Sequence, residues 1–108
     1  MVERFQDDQQ ANSFLEYLIS QGLQGNHILF SNDQIRRAFS KSEHELERLG
    51  SQKVEQVREA LREILTLPNM EEKKEFIQRL PEDIQNIIIL LYFQILEKNL
   101  LSKKPKLH

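Results

Sequence analysis

A chain of 108 residues that is 39% hydrophobic and 30% charged can bury a substantial core as one domain, and it is too apolar for general disorder. Its formal charge of −2 gives no overall attraction to nucleic acid or anionic lipid. Cysteine is absent, which excludes a disulfide framework and a thiolate metal site, and the opening MVERFQDDQQ lacks the apolar core and cleavage site of a signal peptide, so the expected location is cytoplasmic.

Apolar residues recur at helical spacing, and Gly and Pro number three each. The expected fold is all-α: a compact bundle of five or six helices with a long, largely buried C-terminal helix. It forms a single domain over 1–108, with 1–6 and 102–108 as flexible ends. The first helix should begin near Asp7 or Asp8, whose carboxylates suit a helix N-terminus, and turn Ala11, Phe14, Leu15, Leu18 and Ile19 inward. Gly22 is expected to end it as a left-handed cap, with Leu23 making the accompanying apolar contact. Ile28, Leu29 and Phe30 then read as a short extended piece over the core, with no partner to make a sheet.

Ser31 followed three residues later by Gln34 is a capping box, so a second helix should start there with Ile35, Ala38 and Phe39 on its inner face. Ser40 with Glu43 and Ser42 with Glu45 offer overlapping restarts. They imply a short third helix carrying Leu46 and Leu49, with one continuous helix as the alternative. Gly50 and Ser51 should supply a stop and a new N-cap. From Gln52 to about Leu65 the apolar positions Val54, Val57, Leu61 and Ile64, widened by Ala60 and Leu65, predict an amphipathic helix. Glu55 with Arg58 and Glu59 with Arg62 form outer pairs worth about 0.2–0.5 kcal/mol each. Two heptads are too few for a coiled coil.

Leu67-Pro68 closes that helix. Asn69 with Glu72 opens another, carrying Phe76, Ile77 and Leu80. Pro81 is placed as the first residue of a last helix reaching about Leu100, with Glu82 and Asp83 complementing the dipole of its first turn. This helix contains NIIILLYF, residues 86–93. A transmembrane span needs about 20 predominantly apolar residues, and Gln85, Asn86, Gln94, Glu97, Lys98 and Asn99 interrupt this segment. A buried strand would have nothing to pair with. As a helix, the segment carries two apolar stripes: Ile84, Ile87, Ile88, Leu91 and Ile95 on one side, and Ile89, Phe93, Leu96 and Leu100 on the other. Either the helix is central to the bundle, or the second stripe faces a partner. The row Ile89, Phe93, Leu96 and Leu100 is therefore the candidate interface.

No motif of chemical spacing accompanies it. His27, His44 and His108 have no ligand partner at i, i+4, and His44-Glu45-Leu46-Glu47 lacks the second His of a zinc-protease pattern. The acidic pairs Asp7/Asp8, Glu71/Glu72 and Glu82/Asp83 sit at predicted helix starts, where capping explains them. No GxSxG frames a nucleophile, and Gly22-Leu23-Gln24-Gly25 lacks the ending of a phosphate loop. No enzyme class, metal or cofactor is expected. Residues 31–49 can be drawn as a helix-turn-helix with Arg36, Arg37 and Lys41 as phosphate contacts, but its second helix would present Glu43, Glu45 and Glu47 to the groove. The basic run of Lys98, Lys103, Lys104 and Lys106 reads as a solvated terminus, with a nuclear-import or phosphate-contacting tail as the sharper reading. The expected function is that of a small non-enzymatic adaptor or regulator. It acts through a protein partner or as a homodimer through its C-terminal helix, without a membrane, and a nucleic-acid-binding regulator is the alternative.

Overall fold

The computed structural model describes the backbone of residues 2–41 and 43–102, and the side chains of 13–100 apart from 42, 43 and 46. Among the described residues the fold is all-α: α1 (Val2–Leu23), α2 (Asn32–Phe39), α3 (Glu43–Gln52), α4 (Val54–Thr66), α5 (Met70–Arg79) and α6 (Glu82–Ser102). No strand occurs among them, and no helix is long and apolar enough to cross a membrane.

The capping box at Ser31 forms in full, and at Asn69 the side-chain cap forms. Ser31 Oγ accepts from the Gln34 backbone N–H at 3.1 Å while the Ser31 N–H donates to Gln34 Oε1 at 2.7 Å, which starts α2. Asn69 Oδ1 accepts from the Glu72 N–H at 2.8 Å and starts α5. Between α2 and α3 the chain breaks, as the paired serines imply, and the continuous helix does not form; the expected cap at Ser42 lies outside the described residues.

Other boundaries differ from expectation. Helix α1 extends back to Val2, so residues 2–6, expected as a flexible end, are helical, while residue 1 and residues 103–108 with their lysines and His108 lie outside the description. Gly22 is helical and buried rather than a left-handed cap. The left-handed residue is Gly25, at φ 92°. There the Asn26 N–H donates to Gln21 O at 2.8 Å and the Gly25 N–H to Gly22 O at 2.9 Å, the paired bonds of a Schellman ending. Ile28–Phe30 form turns and a bend instead of an extended piece, with Leu29 and Phe30 buried. Gly50 and Ser51 remain inside α3, and the helix breaks at Lys53, which has φ −117° and ψ 27° and makes no side-chain cap. Its ammonium instead holds Asp83 Oδ2 of α6 at 2.8 Å. Pro81 precedes α6 as its cap, its carbonyl accepting from the Gln85 N–H at 3.0 Å.

The centre of the molecule is the first half of α6. Ile84 through Ile89 are six consecutive buried residues, so every face of the helix is covered there. Leu18 of α1, Leu29 and Phe30 of the loop, Ala38 of α2, Val57, Ala60 and Ile64 of α4, and Ile77 of α5 complete the cluster. Two amides share this interior: Gln34 Nε2 donates to Gln85 Oε1 at 3.2 Å, and Gln85 Nε2 donates to the Leu80 carbonyl at 2.8 Å. The molecule measures 45 × 43 × 25 Å. Its short dimension is about two helix diameters, so the protein is two layers deep and its long helix cannot be enclosed along its whole length.

Candidate functional site

Beyond Ile89 the burial of α6 changes. Tyr92 and Leu96 remain buried, facing α1 and the loop before α2, whereas Leu91 is 36% exposed and Ile95 44% exposed. Leu91 and Ile95 are four residues apart and stand one above the other on the same face. Beside Leu91 opens a groove of about 610 Å³ whose floor is Val57, Leu61, Ile87 and Leu90. Its α3 and α4 side carries Gly50, Ser51 and Val54, and Val54 is 45% exposed although its spacing places it on the inner stripe of α4. Glu47 and Arg58 are the charged residues of the lining. A second cleft, against α2, shares Leu90 and Gln94 with the first and adds Ala38, Phe39, Phe93, Lys41 and Glu97. Phe39 was expected inside, yet it is 55% exposed and leans on the edge of Phe93, with ring centroids 5.2 Å apart. The two clefts therefore adjoin along the surface of α6, meeting at Leu90 and the exposed, polar Gln94.

The row proposed from periodicity is not that surface. Ile89 and Leu96 are buried by this chain's own helices. Phe93 is half-buried between His27, at 4.8 Å between centroids, and Phe39, so it holds the loop and α2 onto α6. Leu100 is 56% exposed but stands about half a turn round the helix from Leu91, on the opposite side. Four helices cover the first half of α6, while the second half is covered on the Tyr92 and Leu96 side alone, so the exposed stripe is the one carrying Leu91 and Ile95. Periodicity reveals two stripes; it does not reveal where along the helix each loses its cover.

The polar groups of the interior serve architecture. Lys73 is buried, its Nζ donating to the carbonyls of Ile64 at 2.5 Å and Leu67 at 2.7 Å and lying 4.4 Å from the centre of the Phe14 ring. It thus caps the end of α4 and clamps α1 and α5 to it. Burial lowers its ammonium pKa. Tyr92 Oη lies within hydrogen-bond distance of His27 Nδ1, at 2.7 Å, and burial raises the pKa of the phenol, so the hydroxyl keeps its proton. Neither residue lines any of the larger clefts. The Lys53 hydrogen bond, ahead of the Ile84 N–H that Asp83 Oδ1 accepts, holds the Asp83 carboxyl below its ordinary range. Sequence spacing signalled none of these roles, since each depends on which helices meet.

The alternative phosphate contacts Arg36, Arg37 and Lys41 are all exposed, but Arg36 and Lys41 have acids beside them. Arg36 is 3.3 Å from Asp33, and Lys41 shares a small cleft with Glu45, Glu82 and Asp83. The exposed residues of α3 include Glu45 and Glu47 beside Arg48, so among the described residues no surface of one sign forms across α2 and α3. His44 is exposed, and among the described residues no three His, Asp or Glu side chains converge to hold a metal. Comparison with protein-family models, curated proteins and solved structures finds no match, so the exposed stripe of α6 and its groove stand on their own geometry.

Proposed function

We propose that this chain is a cytoplasmic, non-enzymatic protein-interaction module whose docking surface is the exposed stripe of α6 together with the groove between α6 and the α3–α4 pair. One observation carries the reading: a helix buried on every face from Ile84 to Ile89 leaves Leu91 and Ile95 open beside an exposed Val54 and an apolar-floored groove. Isolated exposed apolar residues are ordinary, but a contiguous patch beside a groove is the form a docking site takes. The non-enzymatic and cytoplasmic parts rest on the sequence, through its lack of motifs with catalytic or ligand spacing and its lack of cysteine.

A photo-crosslinking amino acid placed at Ile95, and separately at Val54, tests the surface in cells. Discrete protein adducts are expected from both positions and none from the exposed Glu75 on α5. Absence of adducts from the groove positions, or identical adducts from Glu75, overturns the proposal.

A further inference from the structure

We infer that the occupant of the groove is a second copy of this chain, bound about a twofold axis that sets the exposed stripe of one α6 against that of the other. The inference rests on the docking reading above and names its partner. Three features lead to it. The first is the row itself. In an antiparallel pair about a twofold axis, Leu91 of one copy meets Ile95 of its partner copy, so a short i, i+4 row is its own complement.

The second is charge. Glu47 comes from the α3 end of the groove and Arg58 from the α4 end, on either side of the bend at Lys53. A twofold axis through the groove exchanges its ends, bringing each acid toward the base of the other copy. Arg58 gives Nη1 to Glu55 at 3.0 Å, which leaves the other donors of its guanidinium fork for Glu47 across the axis. The adjoining cleft repeats the balance with Lys41 and Glu97. A partner of strong single charge has nothing to match on such a rim, whereas a second copy of a chain with formal charge −2 meets little long-range repulsion.

The third is area. Val54, Leu91, Ile95 and Phe39, at 45%, 36%, 44% and 55% exposure, leave open roughly 300 Å² of apolar side chain, the size of the largest patch on an ordinary monomer. A standard interface removes about 800 Å² per partner, a little over half of it apolar. The patch supplies most of that apolar share, and half-buried Leu61 and Leu90 with the stems of Arg58 and Lys41 extend it.

Sedimentation equilibrium of the full chain, at concentrations on the order of 100 µM and below, tests the inference directly. The wild type should dimerise, and Leu91→Glu should raise the dissociation constant at least about tenfold with the helical circular dichroism unchanged. Glu47→Arg and Arg58→Glu should each weaken the dimer several-fold, and the double exchange should recover most of the loss. A wild-type monomer, a dimer indifferent to Leu91→Glu, or a double exchange no better than its singles overturns it. The crosslinking result at Ile95 separates the two levels: adducts to a different protein with a monomeric wild type leave the docking surface standing and remove only the second copy.

Discussion

Gly22 of α1 and Tyr92 of α6 meet so closely that a methyl group on Gly22 would stand 2.5 Å from the Tyr92 hydroxyl oxygen, and 2.8 and 2.9 Å from the two δ-carbons of Leu96. The glycine is therefore the point where two long helices touch backbone to side chain. Tyr92 cannot retreat easily, because its hydroxyl is bonded to His27 and its ring lies edge-on to Phe30 at 5.3 Å. Gly22→Ala should destabilise the protein by about 1–3 kcal/mol despite alanine's better helix propensity. Adding Tyr92→Phe removes the nearest clashing atom, so the double variant should lose less than the sum of the two single losses. Urea unfolding of the four proteins measures it.

Lys73 makes stability depend on pH. Below its lowered folded-state pKa both states carry the ammonium, and the desolvation cost of the buried charge is present in full. Between that value and the ordinary 10.5 of the unfolded chain, the unfolded state binds more protons, so stability rises with pH. Tyr92 acts in the opposite sense above its ordinary 10.0, because the unfolded phenol loses its proton first. The difference between wild type and Lys73→Met isolates the lysine. Near neutral pH the variant should be less stable by about 1–3 kcal/mol, since methionine keeps the stem but leaves the carbonyls of Ile64 and Leu67 without their donor. That gap should widen toward alkaline pH, read by urea unfolding at successive pH values.

What could be read in the sequence divides along the range of the forces involved. The starts of α2 and α5 were legible because a capping residue and its target lie three positions apart, and the periodicity of α4 was legible because one face repeats over four turns. The end of α1 was not, because Gly22 and Gly25 both fit a left-handed cap, and it is Gly25 that takes the left-handed backbone while Gly22 stays helical where Tyr92 and Leu96 leave no room for a side chain. The break at Lys53 was not legible either: its partner Asp83 is thirty positions away, and Gly50 nearby is the stronger local breaker. For α6 the two stripes were evident but not where each loses its cover: Ile84, Ile87 and Ile88 are buried while Leu91 and Ile95 on the same stripe are exposed, and Ile89 and Leu96 are buried while Leu100 on theirs is exposed. Nothing in the local spacing of α5 marks Lys73; the carbonyls of Ile64 and Leu67 at the end of α4 draw it inside.

The buried amides of Gln34 and Gln85 bond to each other in a fixed sequence of orientations. Gln34 Oε1 accepts from the Ser31 N–H at 2.7 Å, which leaves its NH₂ to point at Gln85; Gln85 Oε1 accepts at 3.2 Å, which leaves its own NH₂ for the carbonyls of Leu80 at 2.8 Å and Gln78 at 3.3 Å. Each orientation follows from the one before, so a single run of bonds ties the start of α2, the first turn of α6 and the end of α5. Gln34→Leu strands the Ser31 N–H and the Gln85 oxygen. Gln85→Leu strands the Gln34 NH₂ and the terminal carbonyls of α5. An orphaned buried group costs about 1–3 kcal/mol, and Gln34→Leu should be the larger loss because it also dismantles the capping box. In the double variant the shared bond has no surviving half, so the combined loss should fall short of the sum by about 0.5–3 kcal/mol. Equilibrium unfolding of wild type, both singles and the double closes the cycle, and strict additivity would mean that the two amides do not form one network.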